Sequence, residues 1–326
     1  MSETSTLAMI YLIRHVTGFR YEPEVGESVM EVRLQPRSNT QQRCLTFSLD
    51  VNPRATVSVH RDFYGNAVHH FDIPGRHSAI DVIAEATVET LPPRDLEAIQ
   101  HSTWDELDEN VAAGDYWEML LPSHFAQPTE LLEQLRQELN LKREGSPFEL
   151  LKNLNTSLYN LFDYAPNSTR VDSPIDEALR ARCGVCQDFA HIMITLVRQL
   201  QIPCRYVSGY LYHGAKSHDR STAGATHAWV EAYLGEVGWV EFDPTNDLLS
   251  CERHIRVAEG RDYSDVPPTR GVHKGKPETE LIVSVTVSPI DAPRPEELGP
   301  VTVMRSTRSS PSTTDSTIQQ QQHQQQ

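Results

Sequence analysis

Cysteine is scarce. Five residues in a chain of 326 make an odd and low number that describes no disulfide framework and leaves at least one thiol unpaired. Long apolar runs are missing too: nothing approaches the roughly 20 residues that carry a helix across a bilayer. Basic residues are outnumbered, 29 against 45 acidic ones, for a net charge of -16. A surface of that sign repels phosphate backbones and anionic lipid, so neither nucleic acid nor membrane is an expected partner. A leader is not evident: the short apolar run from Leu7 to Ile13 has no basic segment before it and no small-residue cleavage site after it. Residence in the cytoplasm is therefore the expectation. No internal repeat is visible.

What is present suffices for a real core. Apolar residues make up 38% of the chain, and its length suits about two domains. From Ile10 to Val88 apolar and polar positions alternate in short runs such as Val29 to Leu34, Leu45 to Val51 and Ile80 to Val88, the period of strands. Turn chemistry punctuates them at Pro36 to Thr40, Asn52-Pro53, Tyr64-Gly65-Asn66 and Pro74-Gly75. An all-β, sandwich-like N-terminal domain over residues 1–91 is expected.

From Pro92 the pattern changes. Thr129 opens a helix through Leu131, Leu132, Leu135 and Leu139. Ser146-Pro147 starts another, with Leu150, Leu151, Leu154, Leu158 and Leu161 as its packed stripe. A third follows Val185, burying Phe189, Met193, Leu196, Val197 and Leu200, and stops near Ile202-Pro203. Strands are expected at Arg205 to Tyr212, His227 to Leu234 and Gly238 to Phe242, with a polar loop, Gly214 to Thr226, soft enough to border a site. A last alternating run, Leu281 to Val287, reads as a returning strand. Residues 92–290 are taken as one catalytic domain. Residues 291–326, rich in proline, serine, threonine and finally glutamine, have the composition of a disordered tail.

The segment Arg182-Cys183-Gly184-Val185-Cys186-Gln187-Asp188-Phe189 carries the chemistry, because it puts Cys186 in the first turn of an amphipathic helix. Backbone N–H groups and the helix dipole there favour an anion, so a thiolate is expected below the reference pKa of about 8.5. Cys183 lies outside that turn and is the weaker candidate. Gly184 allows a close backbone approach. Cys44, Cys204 and Cys251 sit among apolar or strand-like neighbours, where an inert buried thiol is usual.

A nucleophile needs a base and a group that orients it. His227 opens one strand and Asp243 closes the next; a hairpin turning at Gly235 and Glu236 brings them within a residue or two of facing each other. A carboxylate on one ring nitrogen fixes the tautomer and leaves the other for the thiol. Cys-Gly-Val-Cys could instead be a redox pair or half of a metal site, but no second Cys-x-x-Cys completes a zinc cage and no strand of a thioredoxin-like motif precedes it. No metal and no cofactor is expected.

Gly-Val-Cys-Gln-Asp-Phe-Ala, His-Ala-Trp-Val-Glu and Gly-Trp-Val-Glu-Phe-Asp-Pro-Thr-Asn, in this order, resemble the three core motifs of the transglutaminase-like superfamily. The N-terminal half is similar to the β-rich region that precedes this core in bacterial members, in His15-Val16-Thr17, Arg33-Leu34-Gln35-Pro36-Arg37 and Asp62-Phe63-Tyr64-Gly65-Asn66. The resemblance implies an α+β, papain-like fold in which a nucleophile-bearing helix packs on an antiparallel sheet carrying histidine and aspartate. It puts the nucleophile at Cys186, the base at His227 and the orienting acid at Asp243. Members attack an amide carbonyl, form a thioester and pass the acyl group to water or to an amine, and the fold does not choose between acceptors.

The Cys186 backbone N–H is the natural first oxyanion donor. Arg180 and Arg182 stand where papain-like enzymes can carry a glutamine, so Tyr164 and Trp229 are the candidates for the second. Asp188 supports the helix start, a structural role that suits the dipole. Arg261, Asp262 and Tyr263 read as structural. The expected activity is a cysteine peptidase or amidase acting on a peptide or protein amide; acyl transfer to an amine and a non-catalytic binding module are the alternatives. Oligomeric state is not legible.

Overall fold

A computed structural model describes residues 8–91, 102–214, 217–249, 252–291 and 320–321. Helix accounts for 24% and strand for 42%, with antiparallel sheets. The chain divides into two compact units, one formed by residues up to Leu91 together with those from Pro267 onward, the other by Pro92–Val266.

The first unit is all-β. Its strands are β1 (Met9–Val32), β2 (Gln42–Asn52), β3 (Ser58–Arg61), β4 (Ala67–Thr90), and, from the far end of the chain, β12 (Thr269–His273), β13 (Glu278–Ile290) and β14 (Gln320–Gln321). Hydrogen bonds join them into one sheet in which β1 pairs with β4, β12 and β13. The long strands change partners along their length: β1 pairs with β13 over Ile10–Glu22 and with β12 over Ser28–Val32, while β4 pairs with β3 near its start and with β2 near its end. The Pro74-Gly75 signal read as a turn lies inside β4, where the ladder with β1 slips between Val25↔His77 and Glu27↔Pro74. Gly75, at a φ of 91°, takes the left-handed backbone that this bulge requires. The returning strand β13 pairs along β1 from Ile10↔Ile290 to Glu22↔Glu278. Residues 267–290 thus belong to the first unit rather than to the single domain over 92–290 expected from sequence. Phe19, Val25, Met30, Val32, Phe71, Ile80 and Val82 form its core. Two of the three N-terminal motifs meet: Arg37 donates to the Tyr64 carbonyl (2.9 Å) and Asn66 Oδ1 (2.7 Å), while Asp62 accepts from the Asn66 amide at 2.9 Å.

The second unit holds α1 (Trp104–Ala113), α2 (Glu130–Glu138), α3 (Pro147–Leu161), α4 (Ile175–Ala181) and α5 (Cys186–Gln199), with the short parallel pair β5 (Asp163–Tyr164) and β6 (Cys183–Gly184). Its main sheet is antiparallel, in the order β10 (Leu248–Leu249), β9 (Trp239–Asp243), β8 (His227–Tyr233), β7 (Cys204–Leu211), β11 (His254–Gly260). Thr129 caps α2 by accepting from the Leu132 amide at 3.2 Å, and Pro147 occupies the first position of α3, as start signals of these types do. Helix α1 was not anticipated: only Leu107 is buried on it, so its apolar stripe is faint, although Thr103 and Glu106 close a capping box.

Helix α5 is the centre. Every residue from Cys186 to Arg198 is buried, which a helix tolerates when its polar groups find partners. Gln187 donates to the Val171 carbonyl (2.9 Å), Thr195 to that of His191 (2.7 Å), and Arg198 to those of Cys204 and Arg261 at 2.8 and 2.7 Å. His191 accepts from the Tyr263 amide at 3.2 Å, and burial pulls its pKa down to about 4. Asp262 accepts from the Phe125 amide at 2.8 Å, and Arg261 pairs with Asp265, structural ties for both. Cys251 and the tail beyond residue 291, apart from β14, lie outside the described residues.

Ile194 is fully buried at mid-helix. Ile194→Ala should lower unfolding free energy by about 2–5 kcal/mol; urea unfolding followed by circular dichroism checks this, and a loss well under 1 kcal/mol would mean that α5 is not the centre of the core.

Candidate active site

The chain enters α5 through an extended residue, Val185, whose amide donates to Asp188 Oδ2 at 2.9 Å; Thr169 Oγ1 donates to the same oxygen at 2.5 Å. Asp188 is thus committed to holding the helix start. Burial pushes its pKa up to about 6, against the lowering effect of these two bonds. A Cβ on Gly184 would lie 2.8 Å from Asp188 Cβ and Oδ2, so only glycine lets the carboxylate reach back. Gly184 pairs with Tyr164 in the β5–β6 ladder, which sets Tyr164 near Cys186; burial and the charge on Cys186 raise the phenol's pKa. Its hydroxyl accepts from the Thr222 amide at 3.3 Å and shares a bond with Thr222 Oγ1 at 3.2 Å.

His227 and Asp243 stand at the same end of the β8–β9 hairpin. The ladder runs Val230↔Phe242, Glu231↔Glu241, Ala232↔Val240, Tyr233↔Trp239, and one further step puts Asp243 across from Trp229, on the face that His227 shares. His227 Nε2 lies 2.8 Å from Asp243 Oδ2. That oxygen also accepts from Asn246 Nδ2 (2.8 Å) and meets His254 Nε2 (3.1 Å), while Oδ1 accepts from the amides of Thr245 (3.1 Å) and Asn246 (3.3 Å). The three side chains are nearly closed to solvent: Cys186 and His227 are 4% exposed and Asp243 is 1% exposed.

Burial alone would lower the His227 pKa; the Asp243 charge and hydrogen bond, with the Cys186 side chain, outweigh it and raise the value to about 9. Burial alone would raise that of Asp243, but His227 and His254 hold it well below the carboxylate range. With Nε2 taken by Asp243, the buried His227 Nδ1 is the nitrogen left for the Cys186 side chain, whose hydrogen bond is among the causes that raise the His227 pKa. Burial pushes the thiols of Cys44 and Cys204 up, to about 11 and about 12.

Of the candidates read from sequence, Cys186, His227 and Asp243 converge. Trp229 supports the site but not as an oxyanion donor: its Nε1–H goes to Glu241 at 3.1 Å, and its ring stacks on His227 at 5.9 Å between centroids. Two residues were missed. Asn246 follows Asp243 within a quoted motif, so its proximity was a usable signal. It ties the loop down, accepting from the amides of Arg220 (2.8 Å) and Ser221 (3.0 Å). His254 lies on β11 and gave no local signal. The donor atoms of His227, Asp243 and His254 fall within 4.8 Å of one another, types and spacing that could also hold a metal ion; the hydrogen bonds among them account for the arrangement.

A cysteine opening a buried helix beside a histidine and an aspartate on an antiparallel sheet is the arrangement of a papain-like fold. Family models agree: the bacterial transglutaminase-like N-terminal region matches residues 11–89 and the transglutaminase-like superfamily matches residues 134–244. The chain belongs to this superfamily, in the bacterial form that carries both parts. It is 33% identical to an uncharacterized protein of Mycobacterium leprae over 84% of this chain and 96% of that one. A protein-glutamine gamma-glutamyltransferase of Pseudomonas aeruginosa shares 26% identity over 44% of this chain and 22% of its own. The fold is that of a proposed cysteine protease from Cytophaga hutchinsonii, with a TM-score of 0.71 at 22% identity over 89% of this chain and 93% of that one. No described helix is long and apolar enough to cross a membrane.

Gly184→Ala should cost about 1–3 kcal/mol, the range for forcing a methyl into packed surroundings, by displacing Asp188 from the Val185 amide. A fall of several degrees in Tm is expected; an unchanged Tm would show that the helix start does not need this approach.

Proposed function

We propose that this protein is a thiol-dependent enzyme that cleaves amide or peptide bonds through a thioester. One observation carries the reading: His227 is fixed by Asp243 through Nε2, which leaves Nδ1 for a cysteine at the first turn of α5. In this reading His227 takes the proton of Cys186, and the sulfur attacks the substrate carbonyl carbon. The oxyanion forms at the N-terminal end of α5, where first-turn amides such as that of Cys186 point out of the helix. Collapse of the tetrahedral intermediate breaks the C–N bond, and the imidazolium gives its proton to the departing amine. Water then enters; His227 removes its proton, and a second collapse releases the acid and restores the thiol. Asp243 stays ionised throughout and steadies the imidazolium.

Transfer of the acyl group to an amine is the second reading, favoured by the similarity to the Pseudomonas glutamyltransferase. A panel of peptide p-nitroanilides and glutamine-containing peptides, run with and without a labelled primary amine, separates the two. A hydrolase yields acid even in excess amine, whereas a transferase yields the labelled amide. Cys186→Ala should lose at least about 1000-fold in either product, as expected when a nucleophile is removed; residual turnover near wild type would end the proposal.

The pH profile follows from the raised His227 pKa. The reacting pair needs the imidazolium, which persists below the folded-state value and is lost as pH rises through about 9. The alkaline limb of kcat/KM should therefore fall near pH 9. A limb centred near the ordinary histidine value would show that Asp243 does not hold His227 in the charged state.

A further inference from the structure

The Asp243 carboxylate has more partners than orienting one imidazole requires. His254 comes to it from β11, with β8 and β7 lying between that strand and β9 in the sheet. Its Nε2 meets Oδ2 at 3.1 Å, the same oxygen that holds His227 at 2.8 Å and Asn246 at 2.8 Å. The side chain is 2% exposed. Its ring meets Trp229 edge-on at 4.9 Å, and Trp229 in turn stacks on His227. Glycine at 209 makes room: a Cβ there would sit 2.7 Å from the Trp229 ring and 2.1 Å from the Ile255 carbonyl oxygen.

A carboxylate oxygen has two lone-pair directions. With three donors on Oδ2, the direction left for His227 depends on where the other two sit. Asn246 lies three residues beyond Asp243, in the turn after β9, and is held by the amides of Arg220 and Ser221; of the two, His254 is the donor that ties the carboxylate to another strand of the sheet. We propose that His254 is a positioning residue for the thiol chemistry above, an inference that rests on that reading: by donating Nε2–H to Asp243 Oδ2 it fixes the carboxylate, and through it the direction of the His227 ring toward Cys186.

The test compares His254→Phe, His254→Leu and His254→Gln in the full chain. The first two remove the donor; glutamine returns an N–H at similar reach. Two readouts are used: the rate of Cys186 alkylation by iodoacetamide, mapped by mass spectrometry, and the downfield imidazole N–H resonance of His227 bonded to Asp243. The apolar variants should alkylate about tenfold more slowly, as misplacement of a reacting group predicts, and should lose or shift the resonance. Glutamine should restore both to within about threefold of wild type. Wild-type behaviour in the apolar variants, or a glutamine variant as impaired as they are, overturns the proposal. Should only the glutamine variant fold, it must keep both readouts. Failure of the thiol reading itself looks different: wild-type Cys186 would react no faster than Cys183, and the resonance would still decide whether His254 orients Asp243.

Discussion

An ionised carboxylate inside a protein is stable only where hydrogen bonds and opposite charge replace the water it has lost. Asp243 meets that condition through two imidazoles, one side-chain amide and two backbone amides. Each partner comes from a place the fold must supply: the mouth of β8, the turn after β9 and the start of β11. The hairpin register, the Asp-Pro-Thr-Asn turn and the order of strands in the sheet serve this one group, and the direction of His227 follows from it.

The sheet keeps its two faces chemically distinct. Ala228, Val230, Ala232 and Phe242 join the apolar core shared with α5. Alternate positions on the same strands carry buried charge: Arg256 pairs with Glu231 (2.8 Å) and Glu241 (2.5 Å), and Arg205 pairs with Glu231 (2.5 Å) and Glu259 (2.8 Å). Such networks rarely add stability over an apolar core. Here Glu241 also takes the indole N–H of Trp229, which fixes the ring that lies against both His227 and His254. The network therefore reaches the site through Trp229.

Much of this was legible in sequence. Helices α2, α3 and α5 announced themselves through Thr129, Pro147 and the Phe189, Met193, Leu196 stripe, since caps and periodicity are local. Cys186, His227 and Asp243 could be singled out as candidates because a helix start and two strand ends have local signatures and their order along the chain is specific. Long-range pairing left no such mark. Alternation marks β13 as a strand but not β1 as its partner, and Pro74-Gly75 has the composition of a turn whether it ends a strand or bulges one. His254 was invisible for the same reason, because its contact with Asp243 crosses two intervening strands. The indole N–H of Trp229 offered a plausible oxyanion donor until Glu241, on the neighbouring strand, was seen to take it.

Passage of an acyl group through the sulfur of Cys186 is open to direct trapping. Turnover of an activated ester is quenched in acid within the first catalytic cycle, and peptides are mapped by mass spectrometry. An acyl adduct is expected on the peptide that begins α5, located at Cys186, sensitive to hydroxylamine and absent from Cys186→Ala. Turnover with no adduct there, or with the acyl group on Cys183, would contradict it.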